Sequence, residues 1–502
     1  MAGVFNFKEV SVDDTKSPAA DGPHIGPHAT GDFDEREIIA HCGPPYIKTT
    51  KGIILVNQKY FVARFAAEHL ILHEPKEREF YLYDSPAGAW VMQTPEAIKE
   101  MFSNDWQNIA AEYDELGLLP KRTNGLLESL SSQLRGHVEK PDVFKPNGRV
   151  IHFQNGMLHI NANSAELMPF SPDYYSRNVC PFEWNPSAQC QRFLDVLVKP
   201  AMPDYDVDLL QRIFGAHLLG RNIAQRFLML TGTPGGGKST VVTVLESIVG
   251  LDNVIQLRSH LLNERFELAR LIGKTTLSGK DVPSNFLETA GAQVLKSLVG
   301  GDIHSPELKF SNAKNLRIHG NFNVIVTANT RLRFRLQDDD DAWARRTTLI
   351  PYERPKPKTR IGDFAQQLIK NEGPGICRWL VEGAVRYLQE CDRFGDILLN
   401  ATQQQRVTSL INESNSLKNF IQTEICHHQG GTLTTNEIVK DYIIYCQQRD
   451  WNPLPMKSAE RQLPDLMMDS FHSPLRHDIN RFGKNNRGYM HVTLTNEDEF
   501  PD

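Results

Sequence analysis

The sequence predicts an α/β protein with a parallel sheet in its central part and α+β segments on either side. Apolar strand-like runs alternate with helical stretches from about residue 223 to 360, which is typical of parallel sheets. A glycine-rich loop stands between one of these strands and a helix, within Phe227–Gly250. Shorter alternating runs with turn residues between them, typical of hairpins, come before and after this part.

The composition is that of an ordinary globular protein of about three domains. The 502 residues include 55 Lys and Arg against 61 Asp and Glu, so the chain as a whole is not a basic nucleic-acid binder. The cysteines form no CxxC pair, and Cys426, His427 and His428 lack the spacing of a zinc site. No apolar run resembles a signal peptide or reaches the ~20 residues of a membrane span. We therefore expect a soluble cytoplasmic protein without a membrane partner.

The part before the central sheet is predicted to consist of a flexible leader, residues 1–45, and an α+β region, residues 46–222. The leader is rich in Pro, Gly, His and Asp, which disfavours a packed core. An aromatic run predicts a hairpin around Ser85-Pro86, and Thr94-Pro95 predicts the start of a helix. A second hairpin is predicted around Asn155-Gly156.

The segment FLMLTGTPGGGKST fits the phosphate-loop pattern GxxxxGK[ST], with an apolar strand before it and an amphipathic helix after it. Glycines let successive N–H groups curl around a phosphate, and the helix presents its positive N-terminus to the same anion. Lys238 is expected to reach the β- and γ-phosphates, and the Ser239 hydroxyl to hold Mg²⁺. We therefore predict that ATP and Mg²⁺ bind to Gly232, Thr233, Pro234, Gly235, Gly236, Gly237, Lys238, Ser239 and Thr240.

Two polar residues at strand ends are predicted to complete the nucleotide site. Asp281 follows a short strand, Thr275–Leu277, where an acid can hold Mg²⁺ through water. Asn329 ends the buried strand Phe322–Ala328, and an amide there can orient the attacking water against the γ-phosphate. An ordinary strand-end aspartate and a turn-forming asparagine are the alternatives.

An arginine pair, Arg345 and Arg346, stands before another short strand, Thr347–Pro351. Arginines near an oligomer face can reach the γ-phosphate of a neighbouring subunit as finger residues. The alternative is a solvated basic pair beside the acidic run Asp338–Asp341.

In this order the motifs resemble those of superfamily 3 helicases, and especially the phage and plasmid primase-helicases related to the poxvirus primase-helicase. The resemblance extends from about residue 80 to the C-terminus. It rests on FQNGMLHINANSAELMPFSP, LLQRIFGAHLLGRNIAQRFLMLTGTPGGGKST, LKSLVGGDIHSPELKF, IVTANT and AWARRTTLIPY. It implies an AAA+-like P-loop motor at residues 223–394, which assembles as a homo-hexamer. A collar or oligomerisation region, residues 46–222, would precede the motor, and a winged-helix-like domain, residues 395–502, would follow it.

The resemblance also implies roles for single residues. Lys238 and Ser239 would bind nucleotide and magnesium, and Asn329 would be the sensor. Arg345 or Arg346 would be the finger that acts in trans.

The resemblance further implies a β-hairpin between Asp302 and Phe322 that faces the central channel. Lys314 stands where turn residues favour the tip of this hairpin, and a lysine there would grip a DNA phosphate. Arg317 and His319 are the further DNA-binding candidates.

Three features depart from the family pattern. Asp281 is preceded by Lys280 rather than by a second acid, which leaves the general base open. Arg331, Arg333 and Arg335 follow the asparagine motif where relatives often carry proline. The N-terminal region has no recognisable primase motif, so a primase or polymerase would be a separate partner.

The tail resembles a winged-helix module, with helices predicted over residues 415–428 and 434–451. Residues 476–494 are predicted to form a two-stranded wing with its turn at Asn486–Gly488. The basic residues of the wing favour contact with phosphates, although a solvated hairpin explains them equally well. These residues are Arg476, Arg481, Lys484 and Arg487.

Three functions compete for this sequence. The first is an ATP-driven helicase that translocates on single-stranded or forked DNA in the replication of a phage, virus or mobile element. The second is a non-unwinding DNA-dependent ATPase, such as an initiator, a loader or a defence or regulatory protein. The third, a small-molecule kinase, is disfavoured because the asparagine and the arginine pair stand at motor spacings and no substrate lid is evident.

Overall fold

The computed structural model describes residues 34–145, 148–161, 164–289, 291–307, 317–334, 340–357, 359, 361–449 and 451–495. None of the helices in these ranges combines the length and the apolar character needed to cross a lipid bilayer. Residues 1–33 of the predicted leader lie outside them. The leader prediction is wrong for Glu35–Cys42, which forms a helix that Asp34 caps. Ile38 and Ile39 of this helix pack on the neighbouring apolar core, which the overall composition of the leader did not indicate.

The N-terminal unit packs four helices against small antiparallel sheets. Its helices are α1 (Glu35–Cys42), α2 (Gln58–Glu68), α3 (Pro95–Glu112) and α4 (Asn124–His137). Its strands are β1 (Tyr46–Lys48), β2 (Ile54–Val56), β3 (Ile71–Glu74), β4 (Glu79–Asp84) and β5 (Ala89–Gln93). The predicted start of α3 is confirmed, because the Thr94 hydroxyl accepts a hydrogen bond from the Ala97 N–H at 3.1 Å. The predicted hairpin around Ser85-Pro86 is also present, between β4 and β5.

A second antiparallel sheet leads into the central part of the chain. It consists of β6 (Val150–Phe153), β7 (Gly156–Ile160) and β8 (Ala165–Met168), and helix α5 (Asp204–Leu219) follows. The predicted hairpin is present, but Phe153 pairs with Gly156, so its turn is Gln154-Asn155, one residue earlier than predicted. Asn155 fixes this turn through hydrogen bonds of 2.8 and 3.0 Å to the Trp184 backbone.

The central sheet has five parallel strands in the order β10-β11-β14-β9-β15, which confirms the predicted parallel sheet. Its strands are β9 (Phe227–Thr231), β10 (Val254–Gln256), β11 (Thr276–Gly279), β14 (Asn323–Ala328) and β15 (Thr347–Pro351), and β12 (Ile303–His304) and β13 (Ile318–His319) form a separate antiparallel pair. The helices of this part are α6 (Lys238–Val249), α7 (Gly291–Gly300), α8 (Asp340–Arg346) and α9 (Phe364–Phe394). Since β9 lies between β14 and β15, the loops after these three strands meet at one edge.

Helices cover both faces of the sheet, as parallel strands with two apolar faces require. α5, α6 and α9 pack on one face. α7, α8 and α10 (Ala401–Ser414) pack on the other, and α10, which the predicted division assigns to the C-terminal domain, contributes Val407, Leu410 and Ile411 to this core. α5 and α9 approach closely at Gly215, where a Cβ would lie 2.2 Å from the Ala384 nitrogen.

The C-terminal unit combines three helices with a three-stranded antiparallel sheet of order β16-β18-β17. Its elements are α11 (Ser416–Glu424), β16 (Ile425–Thr434), α12 (Thr435–Gln448), α13 (Met456–Phe471), β17 (Arg476–Arg481) and β18 (Lys484–Leu494). The helix predicted to extend to residue 428 ends at Glu424, because Ile425 begins a strand that pairs with β18. The predicted wing turn at Asn486–Gly488 is also wrong. Arg481 pairs with Lys484, so the turn is Phe482-Gly483.

Two arginines attach the segment after β14 to α10 and to the C-terminal unit. Arg331 Nη1 donates to the Glu413 carboxylate at 3.2 Å, and this carboxylate also accepts from the Asn452 N–H at 3.1 Å. Arg333 donates to the carbonyl oxygens of Asn452 and Pro453, both at 2.8 Å. These contacts give a structural reason for the arginines at positions 331 and 333.

We expect Arg331→Ala to lower the free energy of unfolding by about 1–3 kcal/mol. The Glu413 side chain is only 2% exposed, so its charge would lose a cation without gaining full solvation. Urea unfolding measures the difference. Arg461→Ala removes one charge from the exposed surface of α13 and should change stability by less than about 0.5 kcal/mol. An Arg331→Ala protein as stable as this control would show that the ion pair does not stabilise the junction.

Candidate functional site

A glycine-rich loop joins the carboxyl end of β9 to the start of α6 near the middle of the sheet. Gly235 and Gly237 have φ angles of 82° and 109°, in the left-handed region that favours glycine. Gly232 lies against the strand-end segment after β15, and a Cβ on it would come within 2.1 Å of the Tyr352 carbonyl oxygen. The backbone of this loop therefore requires glycine at the positions that define the sequence pattern.

Lys238 is the first residue of α6, and its ammonium lies inside the curl of the loop. Its Nζ donates to the carbonyl oxygens of Gly232 and Thr233 at 2.8 and 3.0 Å and to Asn329 Oδ1 at 2.9 Å. Burial lowers the pKa of Lys238, and the nearby Asp281 carboxylate opposes that shift. Lys238 and Asn329 stand 91 positions apart in sequence and were predicted to belong to the same site, and they lie in direct contact.

Ser239 and Asp281 form the second contact of the site. The Ser239 hydroxyl donates to Asp281 Oδ2 at 3.0 Å. Asp281 has a φ of 50°, unusual for a residue with a side chain, and its N–H donates to the buried Thr327 hydroxyl at 2.8 Å, which anchors it to β14. Lys280 points elsewhere and pairs with Glu246 on α6, so it does not neutralise Asp281.

A hydroxyl and a carboxylate in this arrangement fit the chemistry of magnesium. Mg²⁺ prefers oxygen ligands, keeps several waters and usually takes one or two protein ligands together with substrate phosphates. Among the described residues, one group of three metal-ligating side chains lies elsewhere, at Glu68, His69 and Asp105, and Glu68 already forms an ion pair with Arg64. The Ser239–Asp281 pair therefore suits a metal ion that a phosphate chain brings with it.

The arginine pair lies at the opposite edge of the sheet. β15 runs parallel to β9 with Thr347 beside Phe227, so a strand length of roughly 16 Å separates the pair from the glycine-rich loop of the same chain. Arg345 is exposed. Arg346 is half-buried, and its Nη1 donates to the Ala342 carbonyl at 3.3 Å. The fold does not bring these arginines to Lys238 within one chain.

The Arg346 guanidinium packs so closely on α7 that a Cβ on Gly300 would lie 2.7 Å from Nη2. The pKa of Arg346 is lowered mainly by burial and to a smaller extent by the charge of the neighbouring Arg345, whereas Asp302 opposes the shift. Arg345 is exposed and can therefore contact another subunit without rearrangement, whereas Arg346 would first have to leave α7.

The predicted DNA hairpin is described only at its base. β12 and β13 pair between Asp302 and Phe322 as expected, whereas Lys314 lies outside the described residues. Arg317 and His319 are exposed and line a cavity of about 900 Å³ between the N-terminal region and the amino-terminal edge of the sheet. They lie across the sheet from the glycine-rich loop.

The basic residues of the predicted wing divide into two groups. Arg476 pairs with Asp478, and Arg481 pairs with Glu437 on α12. Lys484 and Arg487 are exposed, and no carboxylate pairs with either in the part of the chain that the structure describes.

Two basic residues beside the loop were missed by the sequence reasoning. Arg354 Nη1 donates to the Gly236 carbonyl at 3.3 Å, and its Nε donates to the Val196 carbonyl at 2.8 Å. Lys356 runs along Gly235, where a Cβ would lie 3.4 Å from the lysine Cε. The available signal was the position of both residues directly after an apolar strand, in PYERPKPK.

The fold and the site together define a mixed α/β protein with a five-stranded parallel sheet and a glycine-rich loop at its carboxyl edge. Lys238, Ser239, Asp281 and Asn329 converge on that loop.

Comparison with known proteins adds two family matches and a structural likeness. Residues 58–199 match a family model described as D5 N terminal like, which supports the resemblance to phage primase-helicases. Residues 230–346 match a family of unknown function, DUF5906. Apo structures of the NrS-1 C terminal region align over 86% of this chain and 98% of theirs, at 12%, 11% and 12% identity and TM-scores of 0.43, 0.44 and 0.42.

Proposed function

We propose that this chain is an ATP-hydrolysing P-loop motor that acts as a hexameric DNA helicase in the replication of a phage, virus or mobile element. The observation that carries the proposal is the convergence of Lys238, Ser239, Asp281 and Asn329 at the loop between β9 and α6. The D5 N terminal like segment supports a role in replication. ATP, Mg²⁺ and single-stranded or forked DNA are the proposed ligands.

In this proposal the contacts of the site exchange for phosphate when nucleotide binds. The Lys238 ammonium gives up carbonyl and amide acceptors for phosphate oxygens, a stronger charge-assisted contact. This releases Asn329 Oδ1, which can then accept a hydrogen bond from the attacking water. Ser239 and Asp281 would hold Mg²⁺, which would supply positive charge to neutralise the phosphates. The general base is not assigned, because Lys280 stands where a second acid is expected.

The position of the arginine pair supports an oligomer. Arg345 and Arg346 lie about a strand length from their own loop, so either of them could touch a γ-phosphate only at the loop of a neighbouring subunit. The proposed DNA contacts are the basic residues of the predicted hairpin, which would bind backbone phosphates. These residues are Lys314, Arg317 and His319.

A non-unwinding DNA-dependent ATPase is the second candidate function, because the nucleotide site would be the same. Two assays on the wild-type protein separate the possibilities. Stimulation of ATP hydrolysis by single-stranded DNA is expected for both candidates, and its absence would remove both. Unwinding of a forked duplex with ATP is expected for the helicase alone.

Arg354→Ala is expected to weaken the binding of ADP and ATPγS about tenfold or more, because a charged hydrogen bond to phosphate would be lost. Arg354 lies against Gly236 and Gly237 of the loop, and no carboxylate pairs with it within the described ranges. Fluorescence anisotropy with labelled nucleotide measures the affinity.

Two matched variants give this measurement its meaning. Arg461→Ala removes a distant positive charge and should bind as the wild type does. Arg354→Gln keeps an N–H donor at the position of Nε, which bonds Val196, but loses the charge, so it should bind as weakly as the alanine variant. If the glutamine variant binds normally, Arg354 only shapes the loop.

A further inference from the structure

The turn between β17 and β18 presents a fully exposed aromatic side chain. Phe482 is the most exposed of the large hydrophobic residues that the structure describes. No aromatic ring of the described residues stacks against it. Other exposed apolar side chains, such as Phe394 at 50%, keep part of their surface covered. Phe482 therefore contributes nothing to the packing of its own chain.

The backbone of this turn does not favour phenylalanine either. Phe482 and Gly483 have φ angles of 54° and 79°, the pattern of a two-residue hairpin turn in which both residues have positive φ. Asparagine, aspartate and glycine suit the first position of such a turn, whereas an aromatic residue is strained there. Asn480 Oδ1 accepts from the Gly483 N–H at 3.1 Å and holds the tip in shape. Phe482 is therefore conformationally unfavourable at this position and does not stabilise the fold.

The charges around the tip select the kind of partner. Lys484 and Arg487 lie within five residues of Phe482, exposed and without an ion pair in the described part of the chain. The acids nearest to them along the hairpin and on α12, Asp478 and Glu437, already pair with Arg476 and Arg481. A flat apolar ring beside two available cations fits a partner that alternates flat rings with negative charges. Single-stranded nucleic acid has this pattern.

We propose that the tip of this hairpin is a contact for single-stranded DNA, in which Phe482 stacks on an unpaired base and Lys484 and Arg487 hold the flanking phosphates. The proposal rests on the proposed function, since it takes DNA as the substrate of the motor. It adds a base-stacking contact outside the motor and distant in sequence from the predicted DNA hairpin between Asp302 and Phe322. Stacking tolerates any base, so this contact is independent of sequence.

The test uses the full chain and a fluorescently labelled oligo-dT strand. Phe482→Ala is expected to weaken binding about tenfold, as loss of one base–aromatic stack does. Phe482→Trp should keep the affinity, and its emission should change when DNA binds. Phe394→Ala, the matched aromatic control, should bind like the wild type. Phe482→Gly should melt at the wild-type temperature or above, which separates the DNA contact from folding.

Two results would overturn the inference. One is wild-type affinity of Phe482→Ala for the strand. The other is binding to anionic lipid vesicles that depends on Phe482 while DNA affinity does not. Failure of the motor is distinguishable from failure of this contact. A wild-type protein without DNA-stimulated hydrolysis but with Phe482-dependent strand binding removes the helicase and keeps the contact.

Discussion

Lys238→Ala should abolish ATP hydrolysis, with a loss of about 10²–10³-fold or more, while the protein stays folded. The ammonium is the one cation that the structure places inside the curl of the loop, bonded to Gly232, Thr233 and Asn329, within the described residues. Its removal takes away the charge that offsets the developing negative charge on the phosphates. Steady-state phosphate release with saturating ATP and Mg²⁺ measures the effect.

Lys280→Ala is the matched control for this experiment. Lys280 lies at the same edge of the sheet, but its Nζ donates to Thr243 Oγ1 at 3.0 Å and pairs with Glu246, away from the loop. We expect this variant to hydrolyse ATP within a few-fold of the wild-type rate. Lys238→Ala protein with full turnover would mean that hydrolysis, if present, occurs at another site.

The parts of the site that the sequence predicted are those set by local chemistry. A buried strand, a turn that requires glycine and the start of a helix follow each other without a gap from β9 to α6, so the phosphate-loop pattern located them directly. The polar residues Asp281 and Asn329 were predicted from their positions at strand ends, where an acid can hold Mg²⁺ and an amide can orient water. Because the ends of parallel strands share one edge, the sheet brings Asn329 to Lys238.

The parts that the sequence did not predict depend on pairings between distant segments. Asn486–Gly488 has the composition of a turn, but these residues lie in β18, which pairs with β16 on one side and β17 on the other. Asn486 pairs with Ile479 of β17, and Gly488 pairs with Arg476 of β17 and Thr434 of β16. This strand pairing outweighs a local preference for a turn. Arg354 reaches the loop only because β15 lies beside β9, and Gly236 stands 118 residues away in sequence.

The position of the arginine pair implies that a finger residue would act only between subunits. An exposed Arg345 and a half-buried Arg346 lie at the amino-terminal edge, and the glycine-rich loop lies at the carboxyl edge. A ring in which the amino-terminal edge of one subunit faces the loop of the next would complete each site from two chains. Arg345 is the first choice for the finger because Arg346 already bonds Ala342 and packs on Gly300.

Arg345→Ala is therefore expected to bind nucleotide normally and to hydrolyse it about 10³-fold or more slowly, the loss typical of a missing finger. Mixing this protein with Lys238→Ala protein should restore part of the activity, because the intact loop of one subunit meets the intact arginine of the other. Arg346→Ala, tested in the same way, decides between the two arginines. If the Arg345→Ala/Arg346→Ala double variant hydrolyses ATP at the wild-type rate, this pair is no finger. If the single variants are inactive but every mixture stays inactive, the arginines do not act between subunits.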